Sequence, residues 1–299
     1  MKTRFGVITP QWVLWDELVE QWQYVERLGF DNVWVADHWV NFMQPHTPWF
    51  EAWTLLGGLA MHTTRIRFGP LISPIPFHNP AFLARKALTI DHMSSGRLEL
   101  GIGTGIPGEY DPSYSMAGIE DYSGRERVER FSESVVIIDM LLRQEVSTCE
   151  GSYYKVQDAV MQPRPVQKPR PPITIGAHGP AMRKLAARHA DTWSFTATLY
   201  PFTNDTLRYI REMNSSIDEF CEQIGRDSSS LRRSVLIYSD PDKLFPFESL
   251  DEFSEIVESV LEVGINEIIL QYPPNRKELS LFERVAVEVL PKLRLNDEV

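Results

Sequence analysis

The chain is short of cysteine, of basic charge and of long apolar runs. Cys149 and Cys221 are the two cysteines among 299 residues, far apart and in no CxxC or metal spacing. Two reduced thiols are expected rather than a disulfide framework. No stretch approaches the ~20 apolar residues of a membrane span, and Met1–Val7 holds no apolar signal core. A cytoplasmic protein without membrane contact is expected. Lys and Arg number 30 against 41 Asp and Glu, a formal net charge of −11. An acidic surface argues against nucleic acid and anionic lipid as partners. It does not exclude an anionic small ligand held by a local set of N–H groups. There is no HxH, HExxH or carboxylate cluster of metal spacing, so no metal is expected.

What the chain does have is a core and a rhythm. Hydrophobic residues make up 43% and charged residues 24%, ordinary values for a globular protein. Short apolar runs alternate with stretches of helical period. Arg4–Thr9 is followed by Leu14, Leu18, Trp22 and Val25, with Gly29 as a stop signal. Asn32–Ala36 precedes a helix around Phe50–His62. Ile66–Ile72 precedes a helix from Pro80 to Met93, and Leu98–Ile102 one carrying Val128, Phe131, Val135, Ile138 and Leu142. The second half repeats the pattern with strands at Ile173–Ile175, Thr192–Phe195, Val235–Tyr238 and Glu267–Leu270, each leading into a helix. Eight β-then-α units predict a parallel sheet and favour an α/β fold of the (β/α)8 TIM-barrel type over an open doubly wound sheet. One domain over residues 1–299 is expected, since both halves are needed to close such a barrel. Two stretches interrupt the rhythm: a Gly/Pro/Tyr-rich loop at 103–124 after strand four, and an excursion at 146–172 before strand five, with a small hairpin around Glu150-Gly151-Ser152.

In a barrel, chemistry gathers where strands end. Strand two ends on Asp37, His38 and Trp39, and strand three on Ser73, Pro74, Ile75 and Pro76. Strand four ends on Gly103, Thr104 and Gly105, with Glu109 in the loop. Strand five ends on Gly176, Ala177, His178 and Gly179, strand six on Thr196, strand seven on Ser239 and Asp240, strand eight on Gln271 and Tyr272. His38 is the first candidate acid/base and Glu109 the second; a purely structural hydrogen bond is the alternative for His38. Gly176–Gly179 runs into a helix, whose free N–H groups and positive dipole end suit a phosphate; an unliganded tight turn is the alternative. Trp39 and Trp49 lie in a rim loop, placed to wall an apolar substrate or a flat ring, whereas Trp34, Phe50 and Trp53 read as core. His62, His92 and His189 read as structural; His46 and His78 stay open.

Three runs resemble the luciferase-like monooxygenase superfamily: Arg65-Ile66-Arg67-Phe68-Gly69-Pro70, His78-Asn79-Pro80, and Asp91 to Gly105 with its Ser95-Gly96-Arg97 and Leu100-Gly101-Ile102-Gly103 segments. Pro171 to Gly176, with Ala186 to Trp193, resembles a further hallmark. Asp37-His38, Ser73 and the compact length are similar to the deazaflavin (coenzyme F420) branch. The resemblance implies hydride transfer between F420 and a small organic substrate. It implies that Asp37, His38, Ser73 and Ile75 support the ring, with a cis peptide at Ser73–Pro74. It places Thr104, Gly105 and Glu109 on the ring or substrate side, and Ala177, His178 and Gly179 on the phosphate, although His178 stands where that branch often has glycine. The alternatives are an oxygenase using reduced FMN and a flavin-binding protein without turnover. The partners expected are the substrate and, as an option, a second copy in a homodimer.

Overall fold

The computed structural model describes residues 1–198, 202–238, 245 and 247–295. In chain order the elements are β1 (Arg4–Ile8), α1 (Trp15–Arg27), β2 (Asn32–Val35), α2 (Ala52–His62), β3 (Arg67–Pro70), β4 (Ser73–Pro74), α3 (Pro80–Met93), β5 (Leu100–Gly103), α4 (Ser113–Ala117) and α5 (Gly124–Arg143). Then come β6 (Val146–Glu150), β7 (Lys155–Val160), β8 (Ile173–Gly176), α6 (Pro180–His189), β9 (Thr192–Thr198), α7 (Asn204–Gln223), β10 (Arg232–Tyr238), α8 (Leu250–Glu262), β11 (Glu267–Gln271), α9 (Arg276–Arg284) and α10 (Leu290–Leu295). With β3 and β4 counted as one interrupted strand, eight strand-to-helix steps are present among the described residues. The fold class is the α/β, (β/α)8 type, with the additions expected after strand four and before strand five. The latter holds the hairpin β6–β7, antiparallel and closed by the Gly151 N–H to the Tyr154 carbonyl. Ser239 and Asp240 lie outside the described residues.

Contacts group the chain into two compact units. The first comprises Met1–Pro10, Glu20–Trp34 and Ala177–Val299. Its strands run in the order β2-β1-β11-β10-β9, all parallel. Strands buried on both faces need apolar side chains on both, which is why these segments are continuous rather than alternating. Phe5, Val7, Trp193 and Ile268 are fully buried, and the Phe30 and Phe282 rings stack at 4.9 Å.

The second unit comprises Gln11–Val19 and Val35–Gly176. Here β4 and β8 flank β5 in parallel, and Phe68 of β3 bridges Leu98. Helix caps follow the sequence closely: the Glu51 carboxylate accepts from the Trp53 and Thr54 amides, and the Asn79 side chain from Ala81 and Phe82, with Pro80 at the first helical position. Glycine in β5 is explained by close approach. A Cβ on Gly101 would overlap the Pro70 carbonyl oxygen, and one on Gly103 the end of the Ile72 side chain.

The cis peptide expected at Ser73–Pro74 is not there. Ser73 and Pro74 run extended, in register with Ile102 and Gly103, Pro74 at φ −72° and ψ 123°, and the peptide between them takes the ordinary trans form that proline still favours. The cis bonds among the described residues are Leu71–Ile72, two residues earlier, and Gln162–Pro163 and Lys168–Pro169 in the proline-rich connector.

Candidate active site

In the second unit the chain leaves β2 at Val35 and immediately places three polar or aromatic residues at the strand end. Asp37 is 5% exposed. Its Oδ2 accepts from Ser73 Oγ (2.5 Å), His78 Nε2 (2.7 Å) and Trp53 Nε1 (3.2 Å), and Trp53 Nε1 also donates to Ser73 Oγ (3.0 Å). Burial pushes the Asp37 carboxyl up, but the hydrogen bond and charge of His78, the Ser73 hydroxyl and the charge of His38 outweigh it, so Asp37 lies below its ordinary range and is ionised at neutral pH.

His38 faces a different carboxylate. Its Nδ1 donates to Asp111 Oδ2 at 2.7 Å, and its backbone carbonyl accepts from Trp49 Nε1 at 2.8 Å. The ring packs against Phe42 at 5.0 Å and edge-on to Trp49 at 6.5 Å. Asp111 is 1% exposed, and its second oxygen accepts from the Ser113 amide at 2.9 Å. Ser113 Oγ in turn accepts from the Trp39 amide at 3.1 Å. Burial raises Asp111, yet the His38 and Ser113 bonds hold it below the usual carboxylate range. Nε2 of His38 makes no hydrogen bond to any described residue, while the side chain keeps 16% exposure. The remaining atom of the ring is therefore available to a ligand.

In the first unit, Ala177, His178 and Gly179 lead into α6. The Ala177 amide is taken by the Ser194 carbonyl, and its carbonyl by Trp193 Nε1, each at 2.9 Å. His178 Nε2 accepts from the Thr196 amide at 3.3 Å, and Nδ1 lies 3.4 Å from the Tyr209 hydroxyl. Gly179 is the N-cap of α6 and no side chain caps it. Its own amide and those of Ala181 and Met182 carry no hydrogen bond to a described residue, and Pro180 has no N–H to offer. A cavity of about 330 Å3 is lined by His178, Arg183, Tyr209, Glu212, Met213 and Ser216.

A model of the luciferase-like monooxygenase family matches residues 3–239. The chain belongs to that family. An F420-dependent glucose-6-phosphate dehydrogenase of Amycolatopsis mediterranei is 26% identical over 93% of this chain and 94% of its own length. A protein of the same name from Microbacterium testaceum is 34% identical over 71% of this chain and 60% of its own length. Among solved structures, an F420-dependent secondary alcohol dehydrogenase in complex with an F420-acetone adduct superposes with a TM-score of 0.81 and 21% identity, over 96% of this chain and 100% of that one. That likeness shows the fold. The expected superfamily is thus confirmed, and the expected cofactor branch agrees with the names these relatives carry.

The Ser-Gly-Arg segment of the signature serves as scaffold. Arg97 of the Ser-Gly-Arg segment donates to the Ala60 and Thr63 carbonyls at the end of α2, and Gly96 sits at φ +85°. Of the expected site residues, the structure brings together Asp37 and Ser73 in one network and His38 and Trp49 in another. Pro74 and Ile75 are buried beside Ser73. Trp39 stands 61% exposed, and Glu109 is exposed with no hydrogen bond to a described residue. Gly105, at φ +73°, fits a site where backbone approaches a ligand: a Cβ there would lie 2.8 Å from the Tyr114 hydroxyl. That hydroxyl is buried and has no partner among the described residues. Thr104 is half-buried with only a 3.5 Å contact to the Gly105 carbonyl, and Gly176 gives room to the Ile72 side chain. Asp111, Ser113 and Tyr114 escape a reading by period because they sit in a 103–124 loop that has none. His78, left open by the sequence, is Asp37's partner. Trp53, read as core, is buried as expected but also donates to that carboxylate. Among the described residues no group of His, Cys, Asp and Glu is arranged to hold a metal, and no helix is long and apolar enough to cross a membrane.

Proposed function

We propose that this chain is an F420-dependent oxidoreductase acting on a small organic substrate. The observation that carries the reading is the free Nε2 of His38, held by Asp111 at the end of β2 in a family whose relatives bear F420 in their names. Within the second unit the residues fit such a group: an unpartnered ring nitrogen and a Tyr114 hydroxyl that is buried without a partner among the described residues. Bound F420 supplies the two-electron hydride carrier.

Everything else falls to the protein. His38 takes a proton from a substrate hydroxyl during oxidation, or returns it to a carbonyl oxygen during reduction. Asp37, through Ser73, His78 and Trp53, fixes the strand end from which His38 projects, and Ser73, Pro74, Ile75, Thr104, Gly105 and Gly176 line the ring side. In the first unit, taken by itself, the Gly179, Ala181 and Met182 amides suit a phosphate group, with Ala177 and His178 shaping the turn. Trp39 and Trp49 flank the substrate. Glu109, being exposed and unpartnered, ranks behind His38 as an acid/base. Tryptophan quenching with F420 and with FMN tests the cofactor, and loss of the oxidised deazaflavin's absorbance on turnover tests catalysis. Tight F420 binding with turnover supports the reading; FMN preference supports the oxygenase, and binding without turnover the carrier. His38→Ala should lower turnover by about 10²–10⁴ while leaving F420 affinity nearly unchanged; unchanged turnover removes His38 from the mechanism.

A further inference from the structure

We infer that Asp111 is a positioning residue: it fixes the orientation and tautomer of His38, so that Nε2 is the proton-accepting atom. A neutral imidazole carries one proton on either nitrogen, and the partner of one nitrogen decides which. Asp111 offers an acceptor at 2.7 Å from Nδ1 and has no hydrogen to give, so Nδ1 holds the proton and Nε2 holds the lone pair. Phe42 and Trp49 stop the ring from turning over, and Trp49 pins the His38 carbonyl as well.

Asp111 itself cannot turn away. Its other oxygen is held by the Ser113 amide, and the Ser113 hydroxyl holds the Trp39 amide, so the Asp111-Pro112-Ser113 turn grips the chain on the far side of His38 too. All of Asp111 and Ser113 is buried, at 1% and 0% exposure. A loop attached to the fourth strand thereby positions a histidine attached to the second.

The two oxygens make Asp111→Asn an informative change. An amide has one acceptor and one donor group. The Ser113 N–H is a fixed backbone donor, so the Asn oxygen goes there and the NH2 faces His38. The ring can answer only by moving its proton to Nε2, which removes the base. The turnover arm of the inference rests on the F420 reading; the tautomer arm does not.

The experiment is 15N NMR of the His38 imidazole at alkaline pH, where the ring is neutral, in the ligand-free wild type and in Asp111→Asn, alongside kcat, KM and F420 affinity. The wild type should show the Nδ1–H form and the variant the Nε2–H form. Turnover should fall by about 10²–10⁴ in kcat with F420 affinity within about twofold. A merely structural contact would change stability and leave the tautomer alone. The inference is overturned by a wild-type Nε2–H form, by a variant that keeps the wild-type tautomer, or by a switched tautomer with full kcat. Should the variant not fold, the wild-type spectrum alone still decides the tautomer. Should the wild type show the Nδ1–H form but no turnover with F420, the dyad stands and the cofactor reading falls.

Discussion

Replacing Asp37 by Asn separates two opposing effects on a buried charge. Oδ2 of Asp37 accepts three hydrogen bonds, from Ser73, His78 and Trp53. A hydrogen bond to a charged group contributes about 1.5–3 kcal/mol and a neutral one about 0.5–1.5 kcal/mol. Neutralising the acceptor therefore costs about 1 kcal/mol per bond. The three donors share one oxygen and are not independent, so about 2 kcal/mol in total is the better expectation. Against this, an amide is easier to bury than a carboxylate. The downward direction of the Asp37 carboxyl decides the sign: its partners outweigh its desolvation, so the net effect of Asp37→Asn at neutral pH is destabilising.

The same direction sets the pH dependence. The folded carboxyl titrates below its unfolded value of about 3.9. As pH falls, the unfolded chain takes up the proton first, so the stabilisation is complete above that value and is lost as pH falls through the folded one. Urea unfolding followed by circular dichroism at pH 7 should show the Asn variant less stable by about 2 kcal/mol. The gap should narrow in acid below about pH 4. A variant as stable as the wild type at pH 7, or more stable, would show that desolvation dominates and refute the reasoning.

Gly179→Asp should do opposite things to fold and ligand. Gly179 has no neighbour within 4 Å of a built Cβ, and Asp is a good N-cap, so α6 should gain up to about 1 kcal/mol while F420 affinity falls at least about tenfold from a carboxylate facing the phosphate; unchanged affinity in calorimetry places the phosphate elsewhere. The His178 ring should titrate by NMR below the ordinary value of about 6.5, because burial and then the charge of Arg183 disfavour its protonated form; the stability it lends is full above that value and lost as pH falls. A midpoint at or above the ordinary value contradicts the desolvation argument. Gly101→Ala should cost about 3 kcal/mol, near the top of the range for overpacking, since the obstructing Pro70 oxygen is backbone; unfolding by urea at wild-type midpoint would mean that β3 yields easily.

How much of this was legible in the sequence depends on the distance over which each feature is encoded. Helix α3 was readable because its signals are local: an apolar period from Pro80 to Met93, with a proline that suits the first turn. The third strand was not, since Ile66–Ile72 reads as one apolar run, whereas the chain bends at Leu71–Ile72 and resumes as β4. The Ser73–Pro74 peptide was the wrong place to look for a cis bond: proline narrows the preference for trans without reversing it, and the pairing of Ser73 with Ile102 is set by β5. Helix α4, five residues long, has too few positions to show a period.

The site divides along the same line. Asp37, His38 and Ser73 stand out as candidates in the sequence because they end strands, and strand ends are where a barrel places chemistry. Asp111 was not found, because its contact with His38 spans 73 residues and no period registers it. Its neighbour Glu109 has the right chemistry and the right loop, yet it points to solvent, whereas Asp111 is buried against the ring. Two carboxylates two residues apart are indistinguishable in sequence when the turn between them is irregular. What separates them is the Asp111-Pro112-Ser113 turn, in which the Ser113 amide returns to the Asp111 carboxylate and holds it buried against His38. A residue that accepts one bond from its own turn and one from the candidate base is fixed at both ends, and that is the physical reason to expect the tautomer, rather than the stability, to report its loss.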